Sequence, residues 1–304
     1  MDIQSLRLFV LAAETLNISA AGRTLGFAPA VASTRIAKLE HYVGAELLHR
    51  STRKVSLSLE GQEFLPYARE MIAQEEAALA ALGAGQAQIR GTLRFAAPSS
   101  FAQLYIAPLV PAFMEKYPEL RLDLHLSDSQ FDLIEGSYDL ALRNSVLEDS
   151  SLTARKLADD ERILCASHDY LKAYGTPQHP TELNTHRLIA FRNLEPIGLS
   201  KQDEDTAHFD PRKSKHCIIL NDGLTQKRTT CAGAGISINS LWLVHEELAN
   251  GSLQRVLPEY EVTDKPALWL IYPKSNVVSA KVRVFMDFLI EEIGQSKAWL
   301  VNES

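Results

Sequence analysis

Between Ile18 and Leu59 the chain sets two short amphipathic segments around a glycine and a proline, then follows them with arginines and an alternating apolar run. Ile18, Ala21 and Leu25 fall on one helical face, Ser19 is placed to cap its N-terminus, and Gly26 stops it. Pro29 opens a second helix, because its fixed φ suits a first turn and its missing N–H costs nothing there. That helix runs to Val43 and ends at Gly44, with Ala32, Ile36, Leu39 and Val43 as its buried stripe. Ser33, Thr34, Arg35 and Lys38 are left facing outward. Short side chains let such a face approach a major groove, and arginine can fork onto guanine. Taken alone, the same pattern also describes an ordinary helix pair with a solvated face.

The next residues favour the nucleic-acid reading. Leu47, Leu48, His49, Arg50 and Ser51 form an apolar-to-basic run, Thr52, Arg53 and Lys54 a turn, and Val55, Leu57 and Leu59 an alternating strand. The result is a two-stranded wing with Arg50, Arg53 and Lys54 near its tip, suited to the strong negative potential of a narrow minor groove. Upstream, Leu6, Phe9, Val10 and Ala13 make the inner face of a first helix. Downstream, Ser58 to Ala81 reads as one long helix with a seam of Leu65, Ala68, Ile72, Leu79 and Leu82, kinked or loosened early by Pro66. A helix this exposed is marginal alone, so its seam is expected to pack on the same helix of a second subunit. Gly83-Ala84-Gly85 breaks it, and with Gln86 to Arg90 forms a hinge.

The formal net charge is −7, which for the whole chain argues against nucleic acid. Residues 1–59, however, hold seven Lys/Arg against four Asp/Glu, a local charge of +3 that leaves −10 for the remainder. That asymmetry describes a small basic head on an acidic body. Three cysteines, Cys165, Cys217 and Cys231, with no CxxC spacing, argue against a disulfide framework and for a reducing cytoplasm, with all three thiols as small core residues. No stretch approaches the ~20 apolar residues of a membrane helix, so a soluble, unexported protein is expected.

From Gly91 onward strands and helices alternate, as in a mostly parallel sheet with helices on its faces. Strands are expected at Leu93 to Ala97, Leu120 to Leu126, Tyr138 to Leu142, Ile163 to Ala166, Leu188 to Phe191, Cys217 to Leu220, Ile236 to Asn239 and Ala267 to Tyr272. Helices are expected at Phe101 to Tyr117, carrying Leu104, Leu109, Val110 and Phe113, and at Gly223 to Ala232, Leu241 to Ala249 and Lys281 to Ile293. Crossings near Asp159 to Arg162 and Val262 to Pro266 would join two α/β lobes around a cleft, the usual place for a small ligand. Ser99 and Ser100 follow the first strand and open a helix, whose N-terminus favours an anion. With Arg143 and Arg192 they form a candidate site for an anionic, carboxylate-bearing effector.

Enzymatic motifs are missing, so no catalytic residue and no metal ligand is assigned. Gly233-Ala234-Gly235 lacks the third glycine of a dinucleotide loop, Ala249 stands where a zincin pattern from His245-Glu246 needs its second histidine, and no Gly-x-Ser-x-Gly occurs. His216 and Cys217, adjacent on a strand, point to opposite faces. The polar run Lys201 to Lys215 reads as a solvated hairpin or loop. A two-lobed solute-binding or enzymatic domain with an incidental helical extension is the competing description.

The segment LGFAPAVASTRIAKLEHYVGAELLHRSTRKVSLSLEGQEFLPYA, Leu25 to Ala68, resembles the N-terminal signature of the bacterial LysR-type transcriptional regulators, in the subgroup whose recognition helix opens Ser-Pro-Ser-Ala-Val-Ser-Arg. YPELRLDLHLSD, SYDLALR, AGAGI and WLVHEELANGSLQRVLPEY resemble recurrent stretches of that family's effector domain, so the likeness spans nearly the whole chain. It implies an all-α winged helix-turn-helix at residues 1–59, a linker (dimerisation) helix and hinge at 60–90, and a two-lobed α/β effector domain at 91–304 similar to periplasmic binding proteins. Lobe I would comprise 91–162 and 265–304, and lobe II 163–264. It further implies that Pro29, Ala30, Ser33, Thr34 and Arg35 face bases or phosphates, that Lys38 touches the backbone, and that Arg50 and Arg53 serve the wing. The implied partners are a double-stranded DNA operator, a second copy of the chain in a dimer or tetramer, a small-molecule effector and RNA polymerase, with no cofactor. In the implied mechanism, effector binding changes lobe closure, and with it the arrangement of the linker helices and the bend in the DNA. Cysteine-based oxidant sensing occurs in some members. Two departures stand out: Thr34 where the subgroup often has arginine, and Ala28 where serine is common.

Overall fold

The computed structural model of the chain describes residues 1–50, 55–81, 89–128, 138–145, 152–201, 206–273 and 278–294. Two compact units emerge, one formed chiefly by residues 1–90 and the other chiefly by residues 91–294.

The first unit begins with α1 (Ile3–Thr15), α2 (Ile18–Thr24) and α3 (Pro29–Val43). Asp2 caps α1, its Oδ1 accepting from the Ser5 N–H at 2.9 Å and its Oδ2 from the Ser5 hydroxyl at 2.7 Å. Asn17, not Ser19, caps α2 by accepting from the Ala20 N–H at 2.9 Å; Ser19 already lies inside the first turn. Helix α3 starts at Pro29 and closes on Gly44 in the left-handed region, φ +79°, a conformation glycine adopts without penalty. Ala32, Ile36 and Leu39 are buried and Val43 is partly so. The buried face of α1 is Leu6, Leu8, Phe9 and Ala12, turned from the expected Leu6, Phe9, Val10 and Ala13 because the long helix that follows the wing closes over a second side of α1.

The hairpin pairs β1 (Leu48–Arg50) antiparallel with β2 (Val55–Leu57), Leu48 opposite Leu57. Its turn, with Arg53 and Lys54, lies outside the described residues. Leu59 belongs not to the strand but to α4 (Leu59–Ala81), whose first turn is held by the Ser58 hydroxyl accepting from the Gly61 N–H at 2.8 Å. The helix is continuous through Pro66. Its seam also divides: Leu65 and Ala68 are buried in the chain's own helical core, whereas Leu79 stands 47% exposed. Arg7 to Glu75 at 2.9 Å and Arg69 to Glu14 at 3.2 Å tie α4 to α1. Leu82 and the Gly83–Gln88 part of the hinge are outside the described residues.

The second unit has two principal sheets. The first-lobe sheet, ordered β4-β3-β5-β15-β6, contains β3 (Gly91–Ala97), β4 (Leu120–Leu126), β5 (Leu140–Ser145), β6 (Leu152–Asp159) and β15 (Ala267–Pro273). Between β3 and β4 the expected single helix is broken into α5 (Ser99–Phe101), a π turn, a 3₁₀ turn and α6 (Val110–Lys116). Pro108 and Pro111 cause the break, since neither can donate to a carbonyl one turn back. Phe101, Ala102, Ile106 and Phe113 are consequently the buried residues, and Leu104 points to solvent.

The second-lobe sheet, β11-β8-β12-β7-β13, is built from β7 (Arg162–Ser167), β8 (Arg187–Phe191), β11 (His216–Leu220), β12 (Ile236–Ser240) and β13 (Leu253–Arg255). Helices α7 (His168–Tyr174), α8 (Gly223–Cys231) and α9 (Leu241–Ala249) connect its strands. The run from Lys201 belongs to the expected hairpin, β9 (Ile197–Ser200) pairing antiparallel with β10 (Ala207–Phe209) in a small sheet with β14 (Glu261–Val262), but it is not wholly solvated, since Phe209 and Asp210 are buried. After β15 comes α10 (Ala280–Leu289), whose Phe285 ring lies edge-on to Phe95, 5.1 Å away, in the first-lobe core.

A Cβ on Gly61 would lie 2.0 Å from the Leu47 carbonyl oxygen, so the wing can reach α4 only over a glycine. Gly61→Ala is expected to destabilise the N-terminal unit by about 2 kcal/mol or more, read as a lowered first transition in thermal unfolding of the full chain; an unchanged profile would contradict this packing.

Candidate DNA-binding face and effector cleft

On α3 the outward residues divide by their surroundings. Pro29, Ala30, Thr34 and Lys38 are exposed, while Ser33 and Arg35 are half-buried. The Thr34 hydroxyl donates to the Ala30 carbonyl at 2.9 Å, turned back onto its own helix. Arg35 lies over the Phe27 ring, 4.6 Å from its centre, and pairs with the N-capping Asp2 at 3.1 Å. The hydrogen bonds from Ser5, with Arg35 adding its charge, hold the Asp2 carboxyl below the ordinary aspartate range. The cap therefore contributes above that range and is lost only as pH falls through the lowered value. Arg50 lies on β1, and Arg53 and Lys54 are outside the described residues. Exposed small residues, a pre-oriented guanidinium and an adjacent hairpin are what a duplex-contacting head presents.

In the second unit a cleft of about 1240 Å³ lies between the lobes, lined by Ser100, Arg143 and Arg192. Ser99 is not on its wall; its hydroxyl donates to Asp222 at 3.3 Å. Arg143 sits within β5 rather than at its end, because that strand runs on to Ser145. Arg192, at the end of β8, adopts a left-handed backbone, φ +67°, locked by its N–H donating to the Leu220 carbonyl at 2.6 Å. Strain of this kind on a non-glycine residue concentrates at ligand sites. The cleft walls desolvate the Arg192 guanidinium and lower its pKa, an effect that Asp128 opposes; the side chain stays charged. Among the described residues no carboxylate forms a direct ion pair with it.

Sequence reasoning missed the carboxylates of this cleft. Asp128 is buried at the end of β4. Asp160, at the crossing between lobes, accepts on Oδ2 from Asn144 at 2.8 Å, Ser240 at 3.0 Å and Arg162 at 3.3 Å. Arg162 also reaches Asp264 at 2.9 Å in the other crossing. Burial raises the Asp160 pKa against the pull of Arg162. The position of Asp128 just past a strand's carboxyl end was the available signal, since ligands of open α/β sheets sit there.

The thiols are not a uniform core set. Cys165 is buried, with its pKa pushed up to about 12, Cys231 is partly buried, and Cys217 is exposed on the edge strand β11. Burial raises the pKa of all three. Among the described residues no group of three or more His, Cys, Asp or Glu could hold a metal, and no helix is long and apolar enough to cross a membrane.

A winged helix-turn-helix joined to a two-lobed α/β ligand-binding domain defines a DNA-binding regulator controlled by a small molecule. The family comparisons agree: residues 3–62 match the "Bacterial regulatory helix-turn-helix protein, lysR family" model, and residues 86–294 match the "LysR substrate binding domain". The chain belongs to the LysR family of transcriptional regulators. It is 32% identical to the transcriptional regulator CrgA of Neisseria meningitidis serogroup C over 96% of this chain and 97% of that protein. It is also 32% identical to the regulator DmlR of Escherichia coli K12, over 94% and 93% of the two chains. The CrgA structure from Neisseria meningitidis superposes with a TM-score of 0.61 at 30% identity, covering 97% of this chain and 99% of that one. These relatives are named as regulators of transcription, and this chain is a regulator rather than an enzyme. LysR members bind DNA and small-molecule effectors and form oligomers.

Because Asp2 both caps α1 and pairs with Arg35, Asp2→Ala should have two opposed effects if Arg35 meets DNA. Loss of the α1 cap is expected to cost about 1 kcal/mol of stability, while affinity for operator DNA at low salt should rise as Arg35 is released. Parallel melting curves and mobility shifts on the same variant check both signs.

Proposed function

We propose that this regulator reads its operator through Pro29, Ala30, Ser33, Thr34 and Arg35, with Lys38 on the phosphate backbone and Arg50, Arg53 and Lys54 in the wing. The single observation that best supports this is Arg35, held between the Phe27 ring and Asp2 on the open side of α3. The recognition helix is of the Ser-Pro-Ser-Ala-Val-Ser-Arg subgroup, modified at Ala28 and Thr34. Two copies pair through the exposed remainder of the α4 seam, setting recognition helices about 34 Å apart as a dimer or within a tetramer. The protein acts in the cytoplasm, requires no cofactor and communicates with RNA polymerase.

The effector is an anionic, carboxylate-bearing molecule. Arg192 is its main partner, with Arg143 on the facing wall and Ser100 at the neighbouring helix start; Ser99, turned to Asp222 and off the cleft wall, takes no part. The desolvated Arg192, without a direct ion pair among the described residues, supports this charge. Occupancy shifts the population of lobe closures, and through the linker helices changes how far the DNA is bent.

Mobility shifts on DNA from the protein's own upstream region should give a salt-sensitive specific complex, weakened by Arg35→Ala. A solute-binding domain with an incidental extension predicts none. A thermal-shift screen against small metabolites should return carboxylates. Arg192→Ala should then weaken the best hit about 10- to 100-fold by calorimetry, the scale of one charged hydrogen bond. Undiminished binding, or a cationic hit, would sink the anionic-effector reading.

A further inference from the structure

The N-terminus of α8 belongs to the second lobe, yet its first N–H groups are taken up largely by first-lobe side chains. The Asp128 Oδ2 accepts from the Gly223 N–H at 2.9 Å and from the Ser100 hydroxyl at 2.9 Å. The Ser100 oxygen in turn accepts from the Leu224 N–H at 3.1 Å, and the Ser100 N–H faces Asp128 Oδ1 at 3.5 Å. Asp222 takes the next group, accepting from the Thr225 N–H at 2.7 Å while receiving the Ser99 hydroxyl. Asp128 and Ser100 are both buried. Gly223 permits the approach, since a Cβ there would come within 2.7 Å of the Ser100 oxygen.

A carboxylate with two donors from opposite lobes, at the positive end of a nine-residue helix, has the chemistry of a bound anion, except that it is tethered to the chain. We propose that Asp128 is a resident carboxylate ligand of the second lobe, an internal latch that closes the cleft without any effector. The α8 N-terminus is then a carboxylate site already filled in the wild-type protein. A small free carboxylate binds there only when the side chain is removed, and an effector anion is directed instead toward Arg192. Trp242 reports the closure. Its ring stands edge-on to Phe101 of the first lobe at 5.1 Å, and its carbonyl accepts from the Tyr105 hydroxyl at 2.6 Å.

The test is chemical rescue in the full-length protein. Asp128→Ala should raise the radius of gyration in small-angle scattering and red-shift tryptophan emission. Sodium acetate at about 50 mM, suited to a millimolar ligand, should reverse both changes, while leaving the wild type untouched at matched ionic strength with chloride. Gly223→Ala, which obstructs the latch but keeps the carboxylate, should open the cleft without acetate rescue. Asp128→Asn preserves shape and one acceptor oxygen, so it should show a smaller opening, again without rescue; it carries the test if the alanine variant does not fold. Scattering and emission equal to wild type in Asp128→Asn and Asp128→Ala would overturn the latch, as would an acetate response shared by the wild type or by Gly223→Ala. No effector enters the experiment, so its outcome is independent of the effector's charge.

Discussion

The second unit depends on one buried carboxylate oxygen. Asp160 lies where the chain first passes between lobes, and its Oδ2 collects Asn144 from β5, Ser240 from the end of β12 and Arg162 from the start of β7. Burying a charge is tolerated only when donors replace its lost hydration. The three donors come from both sheets, so the solvation of Asp160 requires the lobes to meet at this point. Arg162 extends the constraint to the second crossing through Asp264. The Asp160 N–H donating to the Pro266 carbonyl at 3.2 Å ties the two crossings directly. A junction built this way fixes the pivot between the lobes.

Given that pivot, the remaining cross-lobe contacts decide how closed the cleft stands. Among the described residues they include polar contacts, Asp128 and Ser100 against α8, and aromatic ones beside them, Phe101 and Tyr105 against Trp242. Arg192 lines the cleft. Its guanidinium feels Asp128 as an attraction and Arg162 as a repulsion, the two opposing one another within the cleft. An anion added there would relieve the repulsion, and a second cation would deepen it. The charge of the cleft thus comes chiefly from residues at strand ends and crossings, with Arg143 added from within β5.

What the sequence disclosed follows from the range over which each feature is determined. Helix α3 from Pro29 to Gly44, strand β4 and helix α9 were legible to the residue, because proline, glycine, alternation and an Asn-Gly stop act locally. Strand β6 was not, since LTARKLAD has neither alternation nor an apolar run, and it forms through antiparallel pairing with β15 more than a hundred residues on. The broken helix after β3 hid behind a plausible apolar pattern, although Pro108 and Pro111 held the signal. Arg143 and Arg192, picked out by charge and position, both line the cleft. Asp128 was not, because its meaning lies in Gly223, separated from it by 95 residues. A cap could be misassigned by two residues, Ser19 for Asn17, because both side chains suit the role and only the backbone decides.

The recognition helix makes a similar point about what a substitution means. Where the subgroup that the sequence resembles often carries a guanidinium, this chain has Thr34, whose hydroxyl is engaged with the Ala30 carbonyl. With its donor spent on its own helix, Thr34, on the operator reading proposed above, offers a base its acceptor lone pairs and its methyl, which suits the C5-methyl of thymine, and brings no positive charge to phosphate. Arg35, by contrast, is stacked and paired in the free protein, so on the proposed reading little side-chain entropy remains to be lost, and Asp2 would be exchanged for an operator oxygen. A face that supplies one pre-oriented cation and one methyl relies less on electrostatic attraction than a face with two arginines would. Its discrimination should therefore rest more on shape and apolar fit, with a shallower dependence of affinity on salt.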